Sequence, residues 1–327
     1  MADRIPSGTR DVLPDEMREL RAMTDRIREV FERAGYGEVY TPALEYESTL
    51  AGGWTGMTAP AYRVFDEQGN VLVLRTDMTI PIARLVATRY HHAEAPLRFC
   101  YFAHAYRGVR PQRGQSRELL QAGVELIGSP TPEGTAEALT VMCAALDAAG
   151  LENYRVGVGD ASLYPALLET IGVGEEARER ILQSLVNGDF VGLQREMQTT
   201  GVSGEDAELL LRVPTIRGGP EVLADLSGSL EEAATGMRAI HALLEPQVAA
   251  RLIFDLGLVR SLGYYTGAVF QVYDPAHGVP IGSGGRYDEL LGQFGRPMPA
   301  VGFALNVERL HIALTGEERG RAPRGRR

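Results

Sequence analysis

Residues 98–128, RFCYFAHAYRGVRPQRGQSRELLQAGVELIG, constrain the fold more than any other stretch of this chain. Arg98-Phe99-Cys100-Tyr101-Phe102 begins as an aromatic strand, and Leu119 to Ile127 can form the return strand. Between them lie Arg107, Arg110, Arg113 and Arg117, with Pro111 and Gly114 as breakers. On the return strand Gln121 and Glu125 are four residues apart, so a period of two puts both on one face. Arg107, near the end of the first strand, can share that face. Arg, Gln and Glu together make a poor core but a good floor for a small polar ligand. The arginine fork suits a carboxylate or phosphate, and the glutamate attracts an ammonium group. A hairpin of this kind also has a purely structural reading, a solvated edge whose charges block edge-to-edge pairing.

The rest of the composition bounds the partners. The 327 residues are 44% hydrophobic and 23% charged, enough for one large or two ordinary globular domains with a sizeable core. A net charge of −10 is unsuited to holding a long polyanion, and positive charge concentrates only in the hairpin loop and in Arg319 to Arg327. The two cysteines, Cys100 and Cys143, sit in apolar surroundings with no partner motif, which predicts buried free thiols in a reducing cytoplasm. The six histidines show no metal-ligand spacing. Met1 to Thr9 is polar, so no signal peptide is evident, and no apolar run approaches a membrane span.

In chain order, Met17, Leu20, Met23, Ile27, Val30 and Phe31 form one apolar stripe, a helix that Gly35 should stop. Strands are expected at Glu38 to Thr41 and Val71 to Arg75. A helix from Ile80 to Tyr90 follows, with Asp77 or Thr76 available as its cap. A helix over Gly134 to Ala149 precedes a strand, Tyr154 to Gly159. From Leu163 to about Val248 helical patterns dominate, including Pro220–Leu226 and Ser229–Leu244, broken at glycine-rich points. Strands return at Arg251 to Leu256, Gly267 to Tyr273 and Ile281 to Asp288. The adjacent Gly284-Gly285 suggests close approach to a ligand or another strand. Pro299 to Leu310 reads as a strand passing into a helix, with small residues at Gly302 and Ala304. The basic, Gly/Pro-rich end from Gly316 reads as a disordered tail.

Taken in order, these pieces resemble the class II aminoacyl-tRNA synthetase core, and within it histidyl-tRNA synthetase. The first helix with Gly35-Tyr36-Gly37-Glu38-Val39-Tyr40-Thr41-Pro42 resembles motif 1, which builds the family's dimer interface. The hairpin resembles motif 2, with Arg107 as its arginine, and Ala300 to Leu310 resembles motif 3, with Arg309 as its arginine. Two runs are specific to the histidine branch: Leu258 to Thr266, and Gly284-Gly285-Arg286-Tyr287-Asp288. The match covers about Pro6 to Leu314. It implies an α+β fold, an antiparallel sheet flanked by helices over residues 1–314, including a helical insertion at 163–248, with the basic disordered tail at 315–327. It also implies a histidine site made by Asp77, Thr79, Arg107, Gln121, Glu125, Arg260, Tyr264, Tyr265 and Tyr287. Singly, the tyrosines read as ordinary half-buried strand aromatics.

Four departures from a working synthetase stand out. The chain ends soon after motif 3, where an anticodon-binding domain is expected. Val109 replaces the acid two residues after Arg107. Asn306 stands where a small residue should let backbone approach a nucleotide. Gly263 replaces an aspartate. The amino-acid end of the site is kept and the ATP end altered. That combination resembles the regulatory-subunit family of ATP phosphoribosyltransferase, as does the run Arg212 to Gly219 in the insertion. The resemblance implies a non-catalytic protein without metal or cofactor, acting in the cytoplasm on the first step of histidine biosynthesis. It would form a dimer within a hetero-octamer with the short-form catalytic subunit, activate that subunit, transmit feedback by L-histidine, and bind neither tRNA nor membrane. Two alternatives stay open: a stand-alone enzyme that activates histidine with ATP, where Arg107, Arg260 and Arg309 would stabilise phosphoryl charge, and a plain histidine-binding or scaffold protein.

Overall fold

The computed structural model of the protein describes residues 5–49, 61–108, 116–259 and 263–321. Helix α1 (Pro14–Arg33) begins with proline and carries Asp15 and Glu16 in its first turn, where the helix dipole favours acids. It buries Leu20, Met23, Ile27 and Phe31, whereas Met17, expected in the same stripe, stays exposed. Gly35, at φ +83°, ends it as expected: the Tyr36 N–H reaches back to the Phe31 carbonyl at 3.0 Å.

Among the described residues nine strands form the main sheet. From one edge they are β1 (Gly37–Glu38), β5 (Leu97–Tyr106), β6 (Glu118–Ile127), β12 (Ala300–Asn306), β11 (His277–Arg286), β10 (Ala268–Asp274), β7 (Arg155–Asp160), β9 (Leu252–Asp255) and β8 (Arg217–Gly218). All neighbours are antiparallel except β1 with β5 and β7 with β9. A separate three-stranded sheet, β2 (Leu44–Tyr46), β4 (Val71–Leu74) and β3 (Arg63–Phe65), was not foreseen beyond its middle strand. Its edge strands are three residues each, too short for an alternating pattern to register.

The main sheet has two unlike faces. On one, Cys100, Val124, Phe303 and Leu305 join the large core, which includes residues of α1, α3 (Glu133–Ala149) and α9 (Val307–Arg321). On the other, Phe99, Tyr101, Ile127 and Ala300 pack with Met78, Ile82 and Val86, the last two from α2 (Thr79–Arg89). The second face also holds the site. Cys100 and Cys143 are both buried free thiols, and burial pushes them up to about 12 and about 11.

Two expectations need correction. Residues 163–248 hold α4 (Leu163–Ile171), α5 (Glu175–Asn187), α6 (Phe190–Thr200), α7 (Gly204–Arg212) and α8 (Glu231–Ala242). The segment is nevertheless not purely helical. Ile216 turns extended and Arg217 and Gly218 pair with Asp255 and Phe254 at the sheet edge. Pro220–Leu223 is only a 3₁₀ turn, and Leu167, Leu193 and Met237 share the sheet's own core. The stretch from residue 315, expected to be a disordered tail, is instead helical as far as it is described, because α9 runs to Arg321 through Gly316 and Gly320, and residues 322–327 lie outside the described residues. Burial outweighs glycine's low helix propensity here. Leu310 and Ala313 are buried, and Glu317 accepts the Asn153 N–H at 2.8 Å. Among the described residues no helix is long and apolar enough to cross a membrane.

Candidate ligand-binding site

The register of four strands assembles the site. Phe99 faces Glu125, which faces Gly302, which faces Gly285; in the next row Tyr101, Gly123, Ala304 and Ser283 lie side by side. Gln121 is paired with Ala103 on one side and Asn306 on the other. Because side chains alternate, these residues share one face, and most of them are small. The small residues hollow the face. A β-carbon at 302 would overlap Glu125 Oε2, so only glycine leaves room for that carboxyl.

Glu125 lies behind the cleft lining and is 1% exposed. The Thr79 hydroxyl donates to its Oε1 at 2.8 Å and the Tyr287 hydroxyl donates to its Oε2. Burial raises its pKa to about 8, against the pull of those two donors and with a push from Asp77. Asp77 is also raised by burial, opposed by the Ile80 N–H, which it accepts at 3.0 Å, and by the Arg107 charge. Asp77 therefore caps α2 and lines the cleft at once, so the two sequence readings of it are compatible.

Tyrosines wall the cleft. Tyr264 packs on Tyr265 with ring centroids 4.9 Å apart and on Tyr287 at 5.8 Å. Arg107 follows β5, its N–H bonded to the Arg117 carbonyl at 2.9 Å. Its charge acts on both Asp77 and Arg309, and it shares with burial in lowering the Arg309 pKa. Arg309 donates to the Pro280 carbonyl at 2.8 Å. The cleft lining thus holds a cationic Arg107 within electrostatic reach of an acidic Asp77. Gln121 lines it too, with an amide oxygen that is buried and has no hydrogen-bond partner among the described residues. Such an atom is costly unless a ligand supplies a donor. The cleft is narrow, with only about 50 Å³ of free volume between its walls.

Of the expected residues, Asp77, Thr79, Arg107, Gln121, Tyr264, Tyr265 and Tyr287 line this cleft, whereas Glu125 is buried behind the lining and bonded to two of its members, Thr79 and Tyr287. Arg260, like Val109, lies outside the described residues. Gly263 sits in an exposed turn. Asn306, expected to crowd a nucleotide, accepts the Arg309 N–H at 2.8 Å and so caps α9. Tyr101 and Ser283 also line the cleft and were missed. Their signal was the pairing of β5 with β6 and of β11 with β12, which period-two reasoning along one strand does not reach. Among the described residues no cluster of three His, Cys, Asp or Glu side chains could hold a metal ion.

A mostly antiparallel sheet whose hollowed face carries a tyrosine-walled cleft lined by Asp77 and Arg107 defines a class II aminoacyl-tRNA synthetase-like core. The sequence model of the histidyl-tRNA synthetase family matches residues 8–310. An ATP phosphoribosyltransferase regulatory subunit from Symbiobacterium thermophilum is 42% identical over 318 residues, covering 95% of this chain and 79% of that one. A solved structure from Bacillus halodurans, described as an ATP phosphoribosyltransferase regulatory subunit/histidyl-tRNA synthetase, superposes with a TM-score of 0.87 at 34% identity, over 96% of this chain and 84% of that one. A histidine–tRNA ligase subunit from Alicyclobacillus acidocaldarius gives 0.78 at 31% identity, over 98% of each chain. The chain belongs to the family of ATP phosphoribosyltransferase regulatory subunits, which shares the histidyl-tRNA synthetase fold.

Proposed function

We propose that the cleft binds free L-histidine and that its occupancy is the signal this regulatory subunit passes to its partner. The chain is the non-catalytic, regulatory member of an ATP phosphoribosyltransferase in histidine biosynthesis, and its partner is the catalytic subunit. The observation that carries the histidine assignment is the buried Glu125 carboxyl together with the Gln121 amide oxygen on the same strand face, which has no hydrogen-bond partner among the described residues. Histidine offers donors for both, through its ammonium group and its imidazole N–H. Asp77 takes the second donor group, and Arg107, with Arg260 as expected from the sequence, takes the carboxylate. The tyrosines provide a flat wall for the ring.

In this reading the partner is the short-form catalytic subunit, which the chain activates in the cytoplasm and through which histidine inhibits. The assembly is a hetero-octamer containing dimers of this chain. Tyr40, Tyr46 and Phe65 stay exposed and supply apolar surface for such contacts. Acidity argues against tRNA as a ligand, since a net charge of −10 repels a polyanion at long range. Calorimetry with histidine, beside a tRNA gel shift at moderate salt, tests the reading. Saturable histidine uptake without tRNA binding is expected; tight tRNA binding without histidine uptake contradicts it.

A further inference from the structure

Arg75 sits between β4 and Asp77, is 3% exposed, and lies outside the cleft lining. Among the described residues its guanidinium meets no carboxylate. Nε donates to the His104 carbonyl at 2.8 Å, and Nη1 donates to the Thr41 carbonyl at 2.6 Å, the Thr41 hydroxyl at 3.3 Å and the Pro42 carbonyl at 3.2 Å. The nearby acid Glu45 is taken by Arg84, at 2.7 and 2.9 Å. A buried guanidinium is costly even when paired, and one held only by neutral oxygens calls for an explanation.

The backbone supplies one. The Arg75 N–H donates to the Ala43 carbonyl and its carbonyl accepts the Tyr106 N–H, both at 2.9 Å. Backbone and side chain together grip residues 41–43 on one side and 104–106 on the other. Asp77 and Thr79 follow two and four residues after Arg75, and Arg107 follows directly after Tyr106. The acidic Asp77 and the cationic Arg107 of the cleft therefore both hang from this one residue. A planar fork can span several carbonyls from different segments at once, which a lysine ammonium cannot reproduce.

We propose that Arg75 is a positioning residue for the ligand site, setting the spacing of Asp77 and Thr79 from Arg107 without touching ligand. This rests on the reading of the cleft as a histidine site. The test compares wild type with Arg75→Met, Arg75→Lys and Thr41→Val. Each is titrated with histidine by calorimetry at a temperature where it is folded, with thermal unfolding and the near-ultraviolet circular dichroism of the tyrosines recorded in parallel. Expected are histidine binding at least tenfold weaker for Arg75→Met, partial rescue by Arg75→Lys, a few-fold loss for Thr41→Val, and an altered tyrosine signal before ligand is added. A purely structural staple would lower Tm and leave the affinity of folded protein unchanged, which would overturn the proposal. If neither Arg75 variant folds, unchanged affinity in Thr41→Val overturns it. Wild-type protein that takes up no histidine removes the ligand assignment itself, and this proposal with it.

Discussion

The two faces of β5, β6, β12 and β11 are built from the same strands and do opposite things. One carries Cys100, Val124, Phe303 and Leu305, all nearly or wholly excluded from water and packed under helices. The other, one residue out of phase, carries Tyr101, Gly123, Glu125, Gly302 and Ala304. The first face stabilises by filling space. The second leaves space, and places behind its lining a carboxyl whose burial opposes its charge. The cleft is thus carried on a fold whose stability is supplied from the reverse side of the same strands.

The contrast breaks most sharply at Leu305. Leu305→Ala empties the dry face and should cost about 2–5 kcal/mol of stability. Histidine affinity of the still-folded protein should hardly change, as denaturant unfolding and calorimetry together would show. Glu125→Ala should do the reverse. The fold survives, while loss of a charge-assisted hydrogen bond weakens histidine binding by about 1.5–3 kcal/mol, roughly 10- to 150-fold. Unchanged affinity in that folded variant would remove Glu125 from the site.

Acidity sharpens the same contrast. With its folded pKa raised to about 8 from an ordinary value of 4.5, Glu125 binds more protons in the native than in the unfolded state between those limits. Its contribution is fully present below pH 4.5 and is lost as pH rises through about 8. Glu125→Gln removes that loss, so its Tm advantage over wild type should grow from pH 5 to pH 8.5. A ligand donor favours the carboxylate, so wild-type affinity should rise from pH 7 towards 8 with proton release, and Glu125→Gln should lack both. The smallest effect expected is that of Tyr287→Phe. It deletes one donor to Glu125, weakens histidine binding by about 1 kcal/mol, and moves the pH midpoint upward.

The long periodic elements were legible in the sequence. The stripe of α1, its glycine stop and the hairpin of β5 and β6 follow from spacing and turn chemistry. The polar face was legible because Gln121 and Glu125 stand four apart on one strand. Its neighbours Tyr101 and Ser283 were not, since register between strands decides them. The short strands β2, β3 and β8 carry too few residues for a pattern. The end of α9 misled because glycine and arginine content signals disorder, while Glu317 finds backbone partners that only the tertiary fold provides.

The central claim is that histidine acts through this cleft. The direct measurement is a rate titration of phosphoribosyltransfer by a fixed amount of short-form catalytic subunit, with wild-type chain and with Glu125→Gln, each across a range of histidine concentrations. The account predicts that both chains activate the catalytic subunit equally, that histidine suppresses the wild-type complex, and that the Glu125→Gln complex requires at least tenfold more histidine for the same suppression. Equal histidine sensitivity in the two complexes would contradict it and move the feedback site elsewhere in the assembly.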